Sequence, residues 1–488
     1  MDIIQDFFEK GIAKLIKVRE EYAKHPEDFN GLVRGVRKVT NEFELQFIAD
    51  VLEARDEQLR ESLLRKEKYV IVRKDRKELI TSLGAVHFEK TLFKNKESGE
   101  SEYLLDRLLG FDPHQRLSED AKVNLLEEAV QTSYRKAGEE TCSNEDSVTK
   151  ETVKDLLHEL EFPEETMAEE KKVVPYLYID ADEDHISLQF RENKGDLQKG
   201  ENGYKENTEI GKLIYVYEGI EKEAPKSTRH RLINPHYFSG VYRAEKNREL
   251  WEEVWRYIDS HYDVNRLKRV YVNGDGAAWI KASKNHLEKV VHVLDEHHLD
   301  KYINRMTAHM KDSREDASEE AKRIIREEKK ADFKAYSERL REYTDEEARL
   351  ERIGESERYL LSNWGAAKLR LSERRTVIGC SAEGHVSHVL SSRMSSRPMG
   401  WSTRGTDAMC HLRAYYANGR SLLELIRYQE KPKRREKTTE AEKILSSHAI
   451  LVSERNRNGV LGKYMETMKA EISKQISEKV YFHEHIRL

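Results

Sequence analysis

The sequence predicts a mixed α/β core with elements in the order β-β-β-α-β-α-β-α, interrupted by an all-helical insertion and preceded by a mainly helical region with a small β-ribbon. Three observations predict it. Short apolar or alternating runs bounded by turn residues cluster between Val173 and Asp295, as strands do. From Asp300 to Arg358, 32 of 59 residues are charged, and no proline occurs from His236 to Arg397. Such a stretch favours exposed helices laced with i,i+4 pairs. Helical spacing of apolar residues marks the first sixty residues and the stretch after Ser118.

In order, residues 1–112 read as helices carrying Ile3, Phe7, Ile12, Phe43, Phe47, Val51 and Leu52, followed by strands at Tyr69–Val72, Glu78–Glu89 and Thr91–Phe93. Residues 113–170 form a helix-turn-helix-like pair. Ser118 caps its first helix and Thr149 its second, which presents Lys150, Lys154 and His158 outward. Residues 171–298 begin the core, with strands at Val173–Asp180, His185–Arg191, Lys212–Glu218, Arg269–Asp275 and Val290–Asp295. A helix bearing Leu250, Val254 and Ile258 and another near Lys281–Leu287 separate the later strands. Residues 299–372 are the charged insertion, 373–430 the last part of the core, and 431–488 a basic tail and helix.

The chain has 488 residues, 38% of them apolar and 36% charged, enough regularly spaced apolar side chains to bury cores in about three domains. Eight prolines and 24 glycines exclude collagen-like and low-complexity classes. No apolar run approaches the roughly 18 residues of a membrane span, and MDIIQDFFEK lacks the pattern of a signal peptide. Three cysteines are too few for a disulfide framework or a Cys-rich zinc site, so a soluble protein of a reducing compartment is expected. The net charge of −5 conceals a basic segment: Leu361–Glu440 has 15 Lys and Arg against 7 Asp and Glu, as a polyanion-binding face would.

Three acidic residues stand out by position. Asp180 ends the first core strand, Asp275 ends the fourth within Asn-Gly-Asp-Gly-Ala, and Glu383 begins a late helix with Val386, Leu390 and Met394 on its packing face. Neighbouring strand ends and a helix edge would gather them into an oxygen-rich pocket. Such a pocket needs divalent cations to relieve its self-repulsion, Mg²⁺ or Mn²⁺ being suited to carboxylates and phosphates. The chemistry that fits is phosphodiester hydrolysis and strand transfer. Asp180, Asp182 and Asp184 share one face of an extended strand, so Asp182 is the alternative first ligand.

These sites resemble the DDE triad of bacterial insertion-sequence transposases of the ISLre type, a group long treated as an uncharacterised protein family and akin to mutator-type transposases. The resemblance spans nearly the whole chain. It is densest in Tyr176-Leu-Tyr-Ile-Asp-Ala-Asp-Glu-Asp-His185, Val272-Asn-Gly-Asp-Gly-Ala-Ala-Trp-Ile280 and from Ala382-Glu-Gly-His-Val-Ser-His-Val-Leu390 through Trp401. It implies a ribonuclease-H-like core, metal ligation by Asp180, Asp275 and Glu383, and a supporting role for Asp295 and His298. Implied partners are the terminal inverted repeats and target DNA, bound by a dimer or higher oligomer in the bacterial cytoplasm, at the nucleoid, with no membrane. Lys150, Lys154, His385, His388, Arg393, Arg397, Lys433, Arg434 and Arg435 are then candidate DNA contacts. Trp401 is expected either to stack on an unstacked base or to pack in the core. Cys380, His385 and His388 are an incomplete set for tetrahedral zinc. The other readings are an inactive or domesticated DNA-binding repressor and a nuclease that cuts without joining.

Overall fold

The computed structural model describes residues 10–112, 114–165, 167–189, 207–373, 375–397 and 399–429. The described residues divide into two compact units, one drawn from the ranges Met1–Leu125, Gly138–Thr149 and Ile426–Leu488, the other from Leu126–Ala137 and Lys150–Leu425. The Lys433–Arg435 cluster lies outside the described residues.

In the first unit, β1 (Tyr69–Thr81) and β2 (Gly84–Asn95) form an antiparallel hairpin, with β3 (Ser101–Tyr103) along the far edge of β2. The run Thr91–Phe93 is therefore the end of β2 and not a strand of its own. Glycine at 84 is set by a backbone φ of +135° in the turn, which side chains rarely adopt. The helix Phe29–Glu61 closes over this ribbon, and Leu59, Val86, Phe93, Leu104 and Leu105 are its fully buried centre. Asp56 enters that core because Thr91 donates to it from its backbone N–H at 3.0 Å and from its hydroxyl, which satisfies an otherwise costly buried carboxyl.

The second unit is built on a mixed five-stranded sheet. Its strands are β4 (Tyr176–Ser187), β5 (Thr208–Tyr217), β8 (His236–Gly240), β9 (Arg269–Gly274) and β10 (Val290–Leu294). A small hairpin of β6 (Gly219–Lys222) and β7 (His230–Ile233) sits between β5 and β8 in sequence. The sheet order is β10-β9-β4-β5-β8. β4, β9 and β10 run parallel, whereas β5 is antiparallel to both its neighbours. Alternating residues Leu177, Ile179, Ile214, Val216, Val270 and Val272 share a buried apolar core with the helix Asn247–His261, whose Leu250, Trp251, Val254 and Ile258 complete it.

Two strand expectations change. Val173–Asp180 and His185–Arg191 are not separate: β4 is continuous through the acidic run. Its alternation survives there, with Leu177, Ile179 and Ala181 on the face of the core and Asp180, Asp182, Asp184 and Ile186 on the other. The third sheet strand is instead β8, a five-residue element directly after Pro235 whose shortness hid its period. The helix expected near Lys281–Leu287 is a single turn at Ala278–Lys281 followed by a 3₁₀ turn at Ala282–Asn285.

The charged stretch folds as helices Glu296–Thr307, Arg314–Glu327, Lys330–Arg341, Glu347–Ser362 and Trp364–Ser372. Few apolar residues suffice because they converge: Ile303, Ile324, Ile325, Phe333, Leu340, Ile353, Leu360 and Trp364 share one core. This is a compact cluster and not an extended arm. The chain then returns to the sheet through Ala382–Val386, a π-helical turn at Ser387–Ser391 and the helix Thr403–Ala417. Val386, Leu390 and Met394 are buried as the spacing expects. Among the described residues no helix is long and apolar enough to cross a membrane.

Candidate active site

β4 and β9 are adjacent and parallel, with Asp180 level with Asn273 in their register. Two residues further along, Asp182 on β4 and Asp275 just past the end of β9 lie close enough for their carboxylates to influence each other. Asp275 lies just beyond the end of β9, where its Oδ1 accepts the backbone N–H of Ala277 at 2.8 Å. Its own carbonyl accepts the hydroxyl of Tyr359, whose ring stacks on Tyr302 at 3.7 Å. The insertion thus fixes the backbone of the Asp275 loop. The next residue, Gly276, has φ +84°, and a Cβ there would fall 2.3 Å from Asn363 Oδ1. Gly276→Ala is expected to destabilise the protein by about 1–2 kcal/mol, read as a lower urea midpoint; an unchanged midpoint would show that the turn relaxes freely.

The two candidate first ligands differ sharply. Asp180 is 0% exposed. Its Oδ2 accepts Tyr215 Oη at 2.6 Å and Ser381 N at 3.0 Å, and its Oδ1 accepts Tyr217 Oη at 3.1 Å and Asn273 Nδ2 at 2.6 Å. Asn273 in turn accepts Arg370 Nη2 at 2.7 Å. All its acceptor capacity is used inside the protein, so Asp180 is a structural hub rather than an open ligand. Asp182 is only partly buried and accepts one backbone N–H, from Glu183 at 2.9 Å. Burial, with the Asp275 and Asp295 carboxylates facing it, pushes its pKa up to about 6 against the Glu183 N–H bond.

Asp295 caps the helix Glu296–Thr307, accepting His297 N at 2.9 Å and pairing with His298 Nδ1 at 3.1 Å. Its own N–H donates to Gly274 O, tying it to the end of β9. Burial opposes its ionisation, but the His298 and His297 hydrogen bonds outweigh this and hold its pKa low. The Asp295 hydrogen bond raises the His298 pKa in return, aided by Asp275 and Asp182. Among the described residues neither Asp182 nor Asp275 pairs with a lysine or arginine; the nearby carboxylates favour the charged form of His298.

Glu383 is exposed at the start of its helix, 3.5 Å from His297 Nδ1. It borders the cluster through His297 and does not touch the aspartates. Among the described residues no three His, Cys, Asp or Glu side chains already stand as a preformed metal cage. The oxygen donors of Asp182 and Asp275 nonetheless fit a hard divalent cation in kind and charge, and burial, with a smaller part from Asp275, is what disfavours the Asp182 charge.

Several expected DNA contacts lie elsewhere. His385 packs on Tyr215 at 4.4 Å, bonds Tyr237 Oη at 3.0 Å through Nδ1, and is half-buried, so it belongs to the tyrosine cluster above the sheet rather than to a phosphate surface. His388 and Arg397 are exposed. Arg393 and Trp401 are buried, and the Trp401 indole N–H donates to Met394 O at 3.0 Å. Lys150 and Lys154 are exposed beside Glu151 and Asp155. Sequence reasoning missed Tyr215, Tyr217, Asn273 and Arg370; the Tyr-x-Tyr spacing on β5 was the signal, placing both hydroxyls on one face.

The profile of the family described as "Uncharacterised protein family (UPF0236)" matches residues 23–432. A UPF0236 protein of Caldanaerobacter subterraneus subsp. tengcongensis is 35% identical over 413 residues, covering 84% of this chain and 83% of that protein. A second from the same organism is 36% identical, covering 81% and 80%. The UPF0236 protein in the vanSb 3′ region of Streptococcus gallolyticus is 24% identical, covering 76% and 79%. Among solved structures, the Drosophila P element transposase strand transfer complex matches 64% of this chain and 80% of that chain at 9% identity, with a TM-score of 0.22.

Proposed function

The chain belongs to the uncharacterised protein family UPF0236, and from that premise and the site geometry we propose that it is an insertion-sequence transposase with a ribonuclease-H-like core. In this reading it binds terminal inverted repeats and cleaves and transfers DNA strands. The observation that carries the reading is the approach of Asp182 on β4 to Asp275 just past the end of the adjacent parallel β9, with no lysine or arginine paired to either among the described residues. The antiparallel β4-β5-β8 meander extended by parallel β9 and β10 supports the core assignment.

The residues divide the work as follows. Asp182 and Asp275 would hold Mg²⁺ or Mn²⁺, and Glu383, now 3.5 Å from His297 Nδ1, would be the third carboxylate. A bound ion would activate a water or a 3′-hydroxyl and stabilise the leaving oxygen. Asp180 fixes β4 against β5, β9 and the Ser381 turn, which sets the position of Asp182 two residues on. Asp295 fixes the His298 ring, and the helix start at Glu296 carries His297 to Glu383.

The test is incubation with a duplex bearing the element's own end and Mg²⁺: nicking at the end and joining to a second duplex are expected. Cutting without joining indicates a nuclease, and binding without either reaction a repressor.

A stability measurement probes the same cluster without catalysis. The folded pKa of Asp182 lies above its ordinary value of 3.8, at about 6. The folded state therefore holds this proton more tightly, and the associated stability is lost as pH rises through that window. At neutral pH without divalent ions, Asp182→Asn is expected to raise Tm by a few degrees. Mg²⁺ is expected to raise the Tm of the wild type but not of the variant. A variant Tm equal to or below that of the wild type would remove Asp182 from a strained anionic cluster.

A further inference from the structure

A second site lies away from the carboxylates, in the same compact unit. The helix Lys150–His158, Arg393 and residues 399–402 border a half-open cavity of about 330 Å³ lined by Tyr134, Lys150, Lys154, His158, Arg393 and Trp401, among others. Arg393 is 3% exposed. Its Nε donates to Ala129 O at 2.9 Å and its Nη1 contacts Met399 Sδ at 3.4 Å, while the guanidinium lies 4.7 Å from the Trp401 ring centroid. No carboxylate among the described residues pairs with it, and its charged neighbours are Arg413 and Arg397. A buried guanidinium without a counter-charge is costly.

Two more polar atoms in the lining are shielded without a partner, Tyr134 Oη and His158 Nε2. Gly405 brings the chain close to them: a Cβ there would fall 3.0 Å from His158 Nε2. Lys150 and Lys154, one helical turn apart, stand at the rim. The one carboxylate in the lining, Glu151, is exposed and lies 3.7 Å from Lys150 Nζ.

We propose that this cavity binds a phosphoryl group, with Arg393 and the unpartnered Tyr134 and His158 groups at its floor and Lys150 and Lys154 at its rim. Resting on the transposase reading, the phosphate is that of a DNA backbone; the chemistry would equally take a free phosphoryl anion. Planar guanidinium and phenolic donors suit tetrahedral oxyanions. Trp401 then acts as the platform that holds Arg393, not as a base-stacking surface. Its indole N–H is already bonded, and the guanidinium covers its ring.

The experiment uses the full chain and two probes, duplex DNA across a salt series and pyrophosphate in calorimetry. Lys150→Gln/Lys154→Gln leaves the buried floor intact, and Lys334→Gln on the insertion, an exposed lysine, is the control. Arg393→Lys, which keeps the charge but loses the fork, is the second variant. The double variant is expected to bind duplex about tenfold more weakly and to lower the salt slope by one to two units, with the control unchanged. Both Arg393→Lys and the double variant are expected to weaken pyrophosphate binding. Wild-type DNA binding with an unaltered double variant and no pyrophosphate binding overturns the site while leaving the transposase reading. Pyrophosphate binding that the variants weaken, without any DNA binding, supports the site and assigns it a free phosphoryl ligand, and the transposase reading falls. Binding of neither probe overturns both.

Discussion

Asp275→Asn is expected to lower Mg²⁺-dependent cleavage of an element-end duplex by about 10³-fold or more, since ion-based charge stabilisation amounts to several kcal/mol. The substitution removes little else. The Ala277 N–H bond needs only one oxygen, which the amide retains, and the Tyr359 hydroxyl binds the backbone carbonyl, not the side chain. Duplex affinity should therefore stay close to wild type and Tm should not fall, since one charge of the cluster is removed; single-turnover cleavage, a gel shift and a thermal melt measure the three. Cleavage near the wild-type rate would take Asp275 out of the metal site. Loss of DNA binding together with cleavage would instead assign it to the fold.

Asp180→Ala is expected to behave oppositely, costing about 3–5 kcal/mol of stability. It strands the buried Tyr217 hydroxyl, the Asn273 amide and the Ser381 N–H at once and leaves the Tyr215 hydroxyl only Ser381 Oγ, and each unsatisfied buried donor costs about 1–3 kcal/mol. The loss propagates to Arg370, because Asn273 Oδ1 is one of its acceptors. Asp180→Asn keeps part of the acceptor capacity, so it should fold better and retain measurable cleavage. Denaturant midpoints with cleavage rates at a permissive temperature separate the two aspartates. A fully stable but inactive Asp180→Ala would exchange their roles.

The contrast between Asp180 and Asp182 shows where sequence reading stops. Period-two alternation puts both on one face of β4, and no spacing rule distinguishes residues two apart on a strand. What distinguishes them is the neighbouring chain: Tyr215 and Tyr217 on β5 and Asn273 on β9 enclose Asp180, whereas Asp182 lies next to the open end of β9. The apolar runs at Leu177–Ile179 and Val270–Val272 were legible because both faces of those strands are buried. β8 was not, being five residues long with a mixed burial pattern.

The Glu383 helix was legible through Val386, Leu390 and Met394, yet the same helical period could not reveal that its other face meets tyrosines. His385 therefore read as a surface group. Arg393 read as a surface contact for a related reason: an arginine in a basic segment carries no sign in its neighbours of being buried under Trp401. Lys150 and Arg393 lie more than 240 positions apart, and only the fold places them around one cavity.

The most direct test is the position of a bound ion. Crystals soaked in Mn²⁺ should show an anomalous difference peak between the carboxylates of Asp182 and Asp275, with Glu383 turned away from His297 toward it. An empty site at saturating Mn²⁺, or a peak coordinated elsewhere with these two side chains unengaged, would contradict the account.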